Sequence, residues 1–368
     1  MSRKRIALVI DSLAGGGAEK IVITLAQEML RQGHEPYLLL LQKSVAHDVP
    51  SNIPVHVCFD QNEKNIDSIF NVKRSVAKLK NWIGELETKF GQFDVFFSNL
   101  DRSNFLMIKA KIAPLFCVIH NAVEDSLIRQ RKLGPFAYLK MVRDKRALNG
   151  QHLITVSKGI EREISQGKRI VPASIRTIYN PFDFDEIECQ SRAEVANIPE
   201  GDFFIHVGRF AKQKRHDVLF QALRLTKNKL PIVLLCHNQK KALKVAKKFG
   251  VSDRIILPGF QRNPFPWVKH ANALVLSSDY EGLPTVLIES LAVGTPVVST
   301  NCPYGPDEIL TGDLANFLVP VRDPAALALK LDEVLELKSD NRRAEILSKV
   351  KADQIVKSYI DLIDGERC

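Results

Sequence analysis

The stretch ALVLSSDYEGLPTVLIESLAVGTPVVSTN, Ala273 to Asn301, reads as strand, loop, helix and strand. ALVLSS is a short apolar run with a polar end, as in a strand buried on both faces. DYEG is a loop. Pro284 suits the first turn of a helix, where its missing N–H has no intrahelical partner. That helix runs over TVLIESLAVG and stops at Gly294, and TPVVSTN follows as the next strand. Strands alternating with helices imply a parallel sheet covered on both faces.

The alternation continues upstream. DFFIHVGRF, LPIVLLC and RIILPGF are strands, with helices over HDVLFQALRLTK and KKALKVAKKFG. A second set fills the first half: RIALVI, EPYLLLL, FDVFFSN, LFCVIH and HLITVS, with a helix over EKIVITLAQEMLRQG. The pattern stops around Pro181 and an acid cluster, which read as a linker at 181–198. The expected fold is α/β, two Rossmann-like doubly wound domains: 1–180 and 199–350, then a helix over 351–368. Ligands of such sheets bind beyond the carboxyl ends of the strands. With two facing units, the expected site is the cleft between them.

Composition limits the function classes. The chain has 368 residues, 45% hydrophobic and 26% charged, with net charge +10. That fits two soluble domains and favours anionic partners: nucleotides, nucleic acid or an anionic membrane. Six cysteines form no C-x-x-C pair and no zinc spacing, and read as free thiols in a reducing cytosol. The apolar run after the basic N-terminus breaks at Asp11, too early for a signal peptide. No segment has the length of a membrane span, so any membrane contact is expected to be peripheral.

Candidate chemistry lies in the loops after strands. Glu281 and Glu289 flank a helix start, whose free N–H groups make an anion site. Phosphate at the helix end, with each carboxylate taking hydroxyls of a different sugar, is one arrangement. A loop acid and a surface acid on a helix is the other. Arg209 and Lys214 follow a strand in HVGRFAKQKRHD, placed to clamp a diphosphate. Gly15, Gly16 and Gly17 let backbone approach a ligand closely, although the spacing is not G-x-G-x-x-G. His120 ends a strand of the first domain, as a site residue or as a structural histidine.

These residues, with GGGAEK, HN at 120–121, TVSKGI, YNP, GRFAKQK, EGLPTVLIES and NCPYGPDEIL, resemble the retaining GT-B glycosyltransferases of family 4 across nearly the whole chain. The resemblance implies a nucleotide-sugar donor, UDP-linked, and a hexose or N-acetylhexosamine as the group moved. The acceptor it implies is a lipopolysaccharide, lipid-linked oligosaccharide or other surface glycan. The first domain would take the acceptor and the second the donor, with the last helix crossing back to the first. Arg209 and Lys214 would neutralise the departing diphosphate, in place of a metal or other cofactor. Glu281 would hold the transferred sugar and Glu289 the ribose, and backbone at Gly282, Leu283, Pro284 and Thr285 would contact sugar and phosphates. The Gly15–Gly17 loop would close on the donor, and His120 would touch the sugar near the reacting carbon. Two departures stand out. HNQKK, 237–241, replaces a frequent Gly-Asp-Gly, and Arg215 stands where Gly is frequent.

The segment 127–150 interleaves Arg129, Arg131, Lys132, Lys140 and Arg143 with Phe136, Tyr138, Leu139 and Val142. It reads either as a contact with anionic membrane or lipid-linked phosphate, at the inner face of the cytoplasmic membrane, or as a helix packed on the sheet. Competing readings remain. One is a nucleotide-sugar epimerase or hydrolase on the same frame. Another is a non-catalytic basic protein binding membrane or nucleic acid, although no nucleic-acid motif is present. A glycosidase leaves the Arg209–Lys214 loop unexplained, and an NAD enzyme lacks its glycine fingerprint.

Overall fold

The computed structural model describes residues 2–14, 16–44, 49–336 and 344–365. It divides into two compact units: the first runs to Phe182 and resumes at Val350, and the second is Asp183–Lys349.

In the first unit seven strands form one parallel sheet: β1 Arg5–Ile10, β2 Glu35–Gln42, β3 Val55–Phe59, β4 Val95–Asn99, β5 Leu115–Ile119, β6 His152–Thr155 and β7 Ser174–Thr177. Their order is β3-β2-β1-β4-β5-β6-β7. The order reverses between β1 and β4, which opens a crevice at their carboxyl ends. The central strands are near-continuous apolar runs because helices cover both faces; Ile6 to Ile10 and Val95 to Phe97 are all buried, whereas the edge strands β3 and β7 carry polar residues. The helix Ala352–Gly365 packs on this unit. Tyr359 meets Phe97 edge to face at 4.8 Å, and buried Lys4 pairs with Asp364 at 2.7 Å. The last helix therefore crosses back to the first domain, as the resemblance implies.

The second unit repeats the design with six strands: β8 Phe204–Val207, β9 Ile232–Leu235, β10 Ile255–Ile256, β11 Ala273–Leu276, β12 Val297–Thr300 and β13 Leu318–Val319. The order β10-β9-β8-β11-β12-β13 reverses between β8 and β11. Helix His216–Leu225 and helix Pro324–Glu333 bury Leu219, Leu223, Leu327 and Leu331 in its core.

The range 181–198, read as a linker, holds the helix Phe184–Ser191. Asp183 caps it by accepting from the Glu186 amide at 3.0 Å, and Asp185 and Glu186 sit in its first turn. The acids that looked like a linker are a helix start, favoured there by the macrodipole. Asn263 Nδ2 and Lys269 Nζ bind the end of this helix at Gln190 O and Ser191 Oγ. Among the described residues the cysteines are free, with only Cys189 exposed; Cys368 lies outside them.

Candidate functional site

In the second unit β8 leads into Gly208, Arg209 and one 3-10 turn, Lys212–Lys214. β11 leads into the loop carrying Asp279 and Glu281, then the helix Thr285–Ala292. Both loops leave the sheet where its strand order reverses, and they are tied together. Ser277 Oγ donates to Lys214 O at 2.7 Å, and Gln213 Nε2 to Tyr280 O at 2.6 Å. The Asp279 amide donates to Gln213 O at 2.9 Å. Lys214 Nζ donates to Glu281 Oε1 at 2.8 Å, with side chains only 16% and 11% exposed.

Arg215 is left-handed, with φ +47°, which explains why a glycine suits this position. Its guanidinium is bidentate on Asp217, at 2.9 and 2.8 Å, and reaches Asp279 at 3.2 Å. Arg322 clamps the same Asp279 through two bonds of 3.0 Å. Carboxylates on both sides hold the Arg215 pKa above the usual range for arginine. Arg215 is therefore structural: it fixes the turn that presents Lys214.

Two buried histidines lie close to Lys214. Gly208 backbone packs between: a Cβ there would sit 3.4 Å from Lys214 Cε and 3.6 Å from His206 Nε2. His206 Nδ1 donates to Val275 O at 2.8 Å, and its ring meets that of His216 at 4.7 Å. Burial, helped by the Lys214 charge, pushes His206 down to about 4. Burial pushes His216 down to about 2. Both rings stay neutral, so the positive charge here is that of lysine and arginine.

Arg209 is exposed on the same loop. Its side chain forms no hydrogen bond or ion pair with another described residue, so its charge is available to a ligand. Pro284 is the N-cap rather than the first helical residue, one position off expectation, and supplies no side-chain cap. The first-turn amides thus lack the side-chain acceptor that a Ser or Asp cap would bring. Gly282, Leu283 and Pro284 are buried, and Thr285 and Glu289 lie four apart on one helix face. Gly305 explains NCPYGPDEIL physically. It has φ +106°, and a Cβ would sit 2.6 Å from Pro284 Cδ and 3.1 Å from Leu283 Cα. Only glycine lets that segment support the loop. In HNQKK, Asn238 caps the helix Gln239–Lys248, and the His237 ring stacks on Phe260 at 4.2 Å.

In the first unit β1, β4 and β5 lie side by side at the sheet's reversal, and Asn99 ends β4 while Asp11 and His120 directly follow β1 and β5. A 280 Å³ cavity here is lined by His120, Asp11, Asp101, Asp144, Lys140 and neighbouring residues. Burial pushes His120 down to about 4, against the opposing charge of Asp101. Asp11 accepts from Ser103 N at 2.9 Å and Ser103 Oγ at 2.7 Å, and burial raises its pKa. Burial pushes Asp144 up to about 6. Buried Lys145 pairs with Asp101 at 2.6 Å. Gly16 caps the helix Gly17–Arg31 with extended backbone, and Gly15 lies outside the described residues.

The segment 127–150 completes the helix Val123–Arg131 and forms the helix Pro135–Arg146. Its basic residues split. Arg129, Arg131 and Lys132 are exposed. Lys140 pairs with buried Asp67 at 2.5 Å. Arg143 binds Asp144 at 2.7 Å and Asp67 O at 2.8 Å, and lies over the Phe105 ring. Lys140, although exposed, and Arg143 are held by carboxylates inside the unit, so among the described residues of this segment Arg129, Arg131, Lys132 and Arg146 are the exposed cations without such a partner. Sequence reading passed over Asn99, Asp101 and Asp11 as site residues. Each is a polar residue directly at or after a strand's carboxyl end, the signal that singled out His120.

Two family models match the chain: Glycosyltransferase Family 4 over residues 15–186 and Glycosyl transferases group 1 over residues 190–351. A curated relative from Campylobacter jejuni is N-acetylgalactosamine-N,N'-diacetylbacillosaminyl-diphospho-undecaprenol 4-alpha-N-acetylgalactosaminyltransferase. It is 26% identical over 95% of this chain and 94% of its own. Among solved structures, sucrose-phosphate synthase from Thermosynechococcus elongatus superposes with TM-score 0.78 at 16% identity, covering 99% of both chains. Anabaena HepE in complex with UDP gives TM-score 0.73 at 18% identity, over 98% of this chain and 100% of that one. The two structures share the fold. The chain is thus a glycosyltransferase of GT-B architecture, belonging to family 4 in its first half and to the group 1 transferases in its second.

Proposed function

We propose that this glycosyltransferase moves a hexose or N-acetylhexosamine, with retention, from a UDP-sugar to a lipid-linked oligosaccharide, lipopolysaccharide or related surface glycan. The observation that carries the reading is the Lys214–Glu281 pair beside the uncapped start of helix Thr285–Ala292. The bond that breaks joins the anomeric carbon to the donor phosphate. Negative charge grows on the departing diphosphate, and preorganised cations and helix amides stabilise it. Lys214 and Arg209 supply the cations, in place of a metal or other cofactor. Glu281 orients Lys214 and accepts sugar hydroxyls, and Glu289 takes the ribose. The acceptor hydroxyl attacks the same face of the sugar, and its proton goes to the leaving phosphate oxygen. His120 contacts the sugar near the reacting carbon, as the resemblance implies.

The name of the Campylobacter relative, a diphospho-undecaprenol-sugar transferase, supports a lipid-linked acceptor. The complex of HepE with UDP supports the choice of nucleotide. A peripheral membrane contact at the cytoplasmic face belongs to the same proposal. Phe136 is 88% exposed and flanked by exposed Leu133 and Leu139, near Arg129, Arg131 and Lys132. Arg143 binds Asp67 O, which brings up the turn bearing Phe70, 94% exposed. Exposed apolar groups ringed by cations suit an anionic interface. Among the described residues no helix is long and apolar enough to cross a membrane.

The test is to incubate protein with UDP-sugars, with and without lipid-diphosphate-linked acceptors, and to read the anomeric configuration of the product by NMR. An α-linked product from an α-donor that needs acceptor supports the proposal. Sugar released or epimerised without acceptor favours the hydrolase or epimerase reading.

A further inference from the structure

We infer that Asn99 is a positioning residue for the transfer reaction: it fixes the hydrogen on His120 Nε2, so that the ring meets substrate through Nδ1 as a hydrogen-bond acceptor. The inference rests on the placement of His120 at the sugar given above.

Asn99 ends β4, beside β1 and β5, and is 3% exposed. Its Nδ2 donates to Val9 O at 3.2 Å and to Phe97 O at 3.1 Å. Backbone carbonyls only accept, so these two bonds fix which end of the amide is nitrogen. The oxygen, Oδ1, then lies 2.9 Å from His120 Nε2. An amide oxygen cannot donate, so Nε2 carries the hydrogen. Burial keeps the ring neutral near pH 7, and a neutral imidazole has one hydrogen. Nδ1 is left with a lone pair and no proton, and among the described residues nothing hydrogen-bonds it.

The ring lines the 280 Å³ cavity with Asp11, Asp101 and Asp144. A lone pair there selects a donor: a sugar hydroxyl or an amide N–H. A phosphate or ring oxygen is repelled. A substrate analogue lacking the hydroxyl leaves Nδ1 unsatisfied and is discriminated against, as sites built for a hydroxyl reject deoxy analogues.

The test uses full-length protein labelled with 15N-histidine. Two-bond proton–nitrogen spectra at pH 7, with the His120 signal assigned by its loss in His120→Ala, should show Nε2 protonated and Nδ1 bare. Asn99→Ala should lower kcat at least tenfold and leave KM for the UDP-sugar within about threefold. Asn99→Asp keeps an acceptor for Nε2–H and should recover part of kcat. A wild-type spectrum with Nδ1 protonated overturns the inference. So does an Asn99→Ala enzyme within twofold of wild type while His120→Ala is impaired. An unimpaired His120→Ala instead removes His120 from the site, a failure of the parent reading distinguishable by that one variant. Should Asn99→Ala not fold, the wild-type spectrum and Asn99→Asp decide.

Discussion

Lys214 Nζ lies 2.8 Å from Glu281 Oε1, an ion pair that bridges the loop after β8 and the loop after β11. Each residue holds the other in place, so the two act as a unit. Lys214→Ala and Glu281→Gln should each lower kcat on the order of 100-fold or more. The double variant should lose much less than the product of the two losses, since removing one partner already misplaces the other. Steady-state kinetics of the four proteins test this, and multiplicative losses would show independent roles.

Arg215 combines strain with partnership. Its left-handed backbone costs a non-glycine residue roughly 1–2 kcal/mol, while its guanidinium binds Asp217 and Asp279. Arg215→Ala keeps the strain and loses the pairs; Arg215→Gly loses both. Arg215→Gly should therefore be more stable than Arg215→Ala by about 1 kcal/mol in urea unfolding. Equal stabilities would mean the turn is not held left-handed.

The returning helix is part of the first unit's core. Tyr359 is buried against Phe97, so Tyr359→Ala should cost about 3–5 kcal/mol, as aromatic truncation in a core does. Asp364→Ala leaves buried Lys4 without its partner, a further destabilisation. Thermal unfolding followed by circular dichroism measures both, and an unchanged Tm for Tyr359→Ala would show that the helix does not dock there.

Acid should weaken the fold with a predictable sign. His120 and His206 titrate near 4 when folded but near 6.5 when unfolded. Between those values the unfolded chain binds more protons, so stability falls as pH drops from about 6.5 to about 4. Asp144 opposes this. Its folded carboxyl, pushed up to about 6, takes a proton before the unfolded one does. Asp144→Asn removes the opposing contribution and should steepen the loss of Tm between pH 6 and 4. Parallel Tm curves for the two proteins would contradict that account.

The central strands of both sheets were legible because each is an apolar run closed by a polar residue or a turn, as in RIALVI before Asp11; the edge strands β3, β7 and β13, which are short or mixed in polarity, were not. The loops after β8 and β11 were legible for the same reason: Lys214 and Glu281 follow such runs. The pairing of Asn99 with His120 was not, since it depends on β1, β4 and β5 lying side by side. The helix at 184–191 was hidden because its cap and first-turn acids read as a linker. Charge counting over 127–150 could not separate Arg131, which is exposed, from Arg143, which Asp144 and Asp67 claim. Gly305 needed its contact with Pro284 before its role was visible.

The central claim is that Lys214 and Arg209 grip the donor diphosphate. Calorimetric titration of UDP and of uridine into wild type, Lys214→Ala and Arg209→Ala tests it most directly. The account predicts that wild type binds UDP far more tightly than uridine and that either variant erases most of that difference. Variants that bind UDP as tightly as wild type would contradict it.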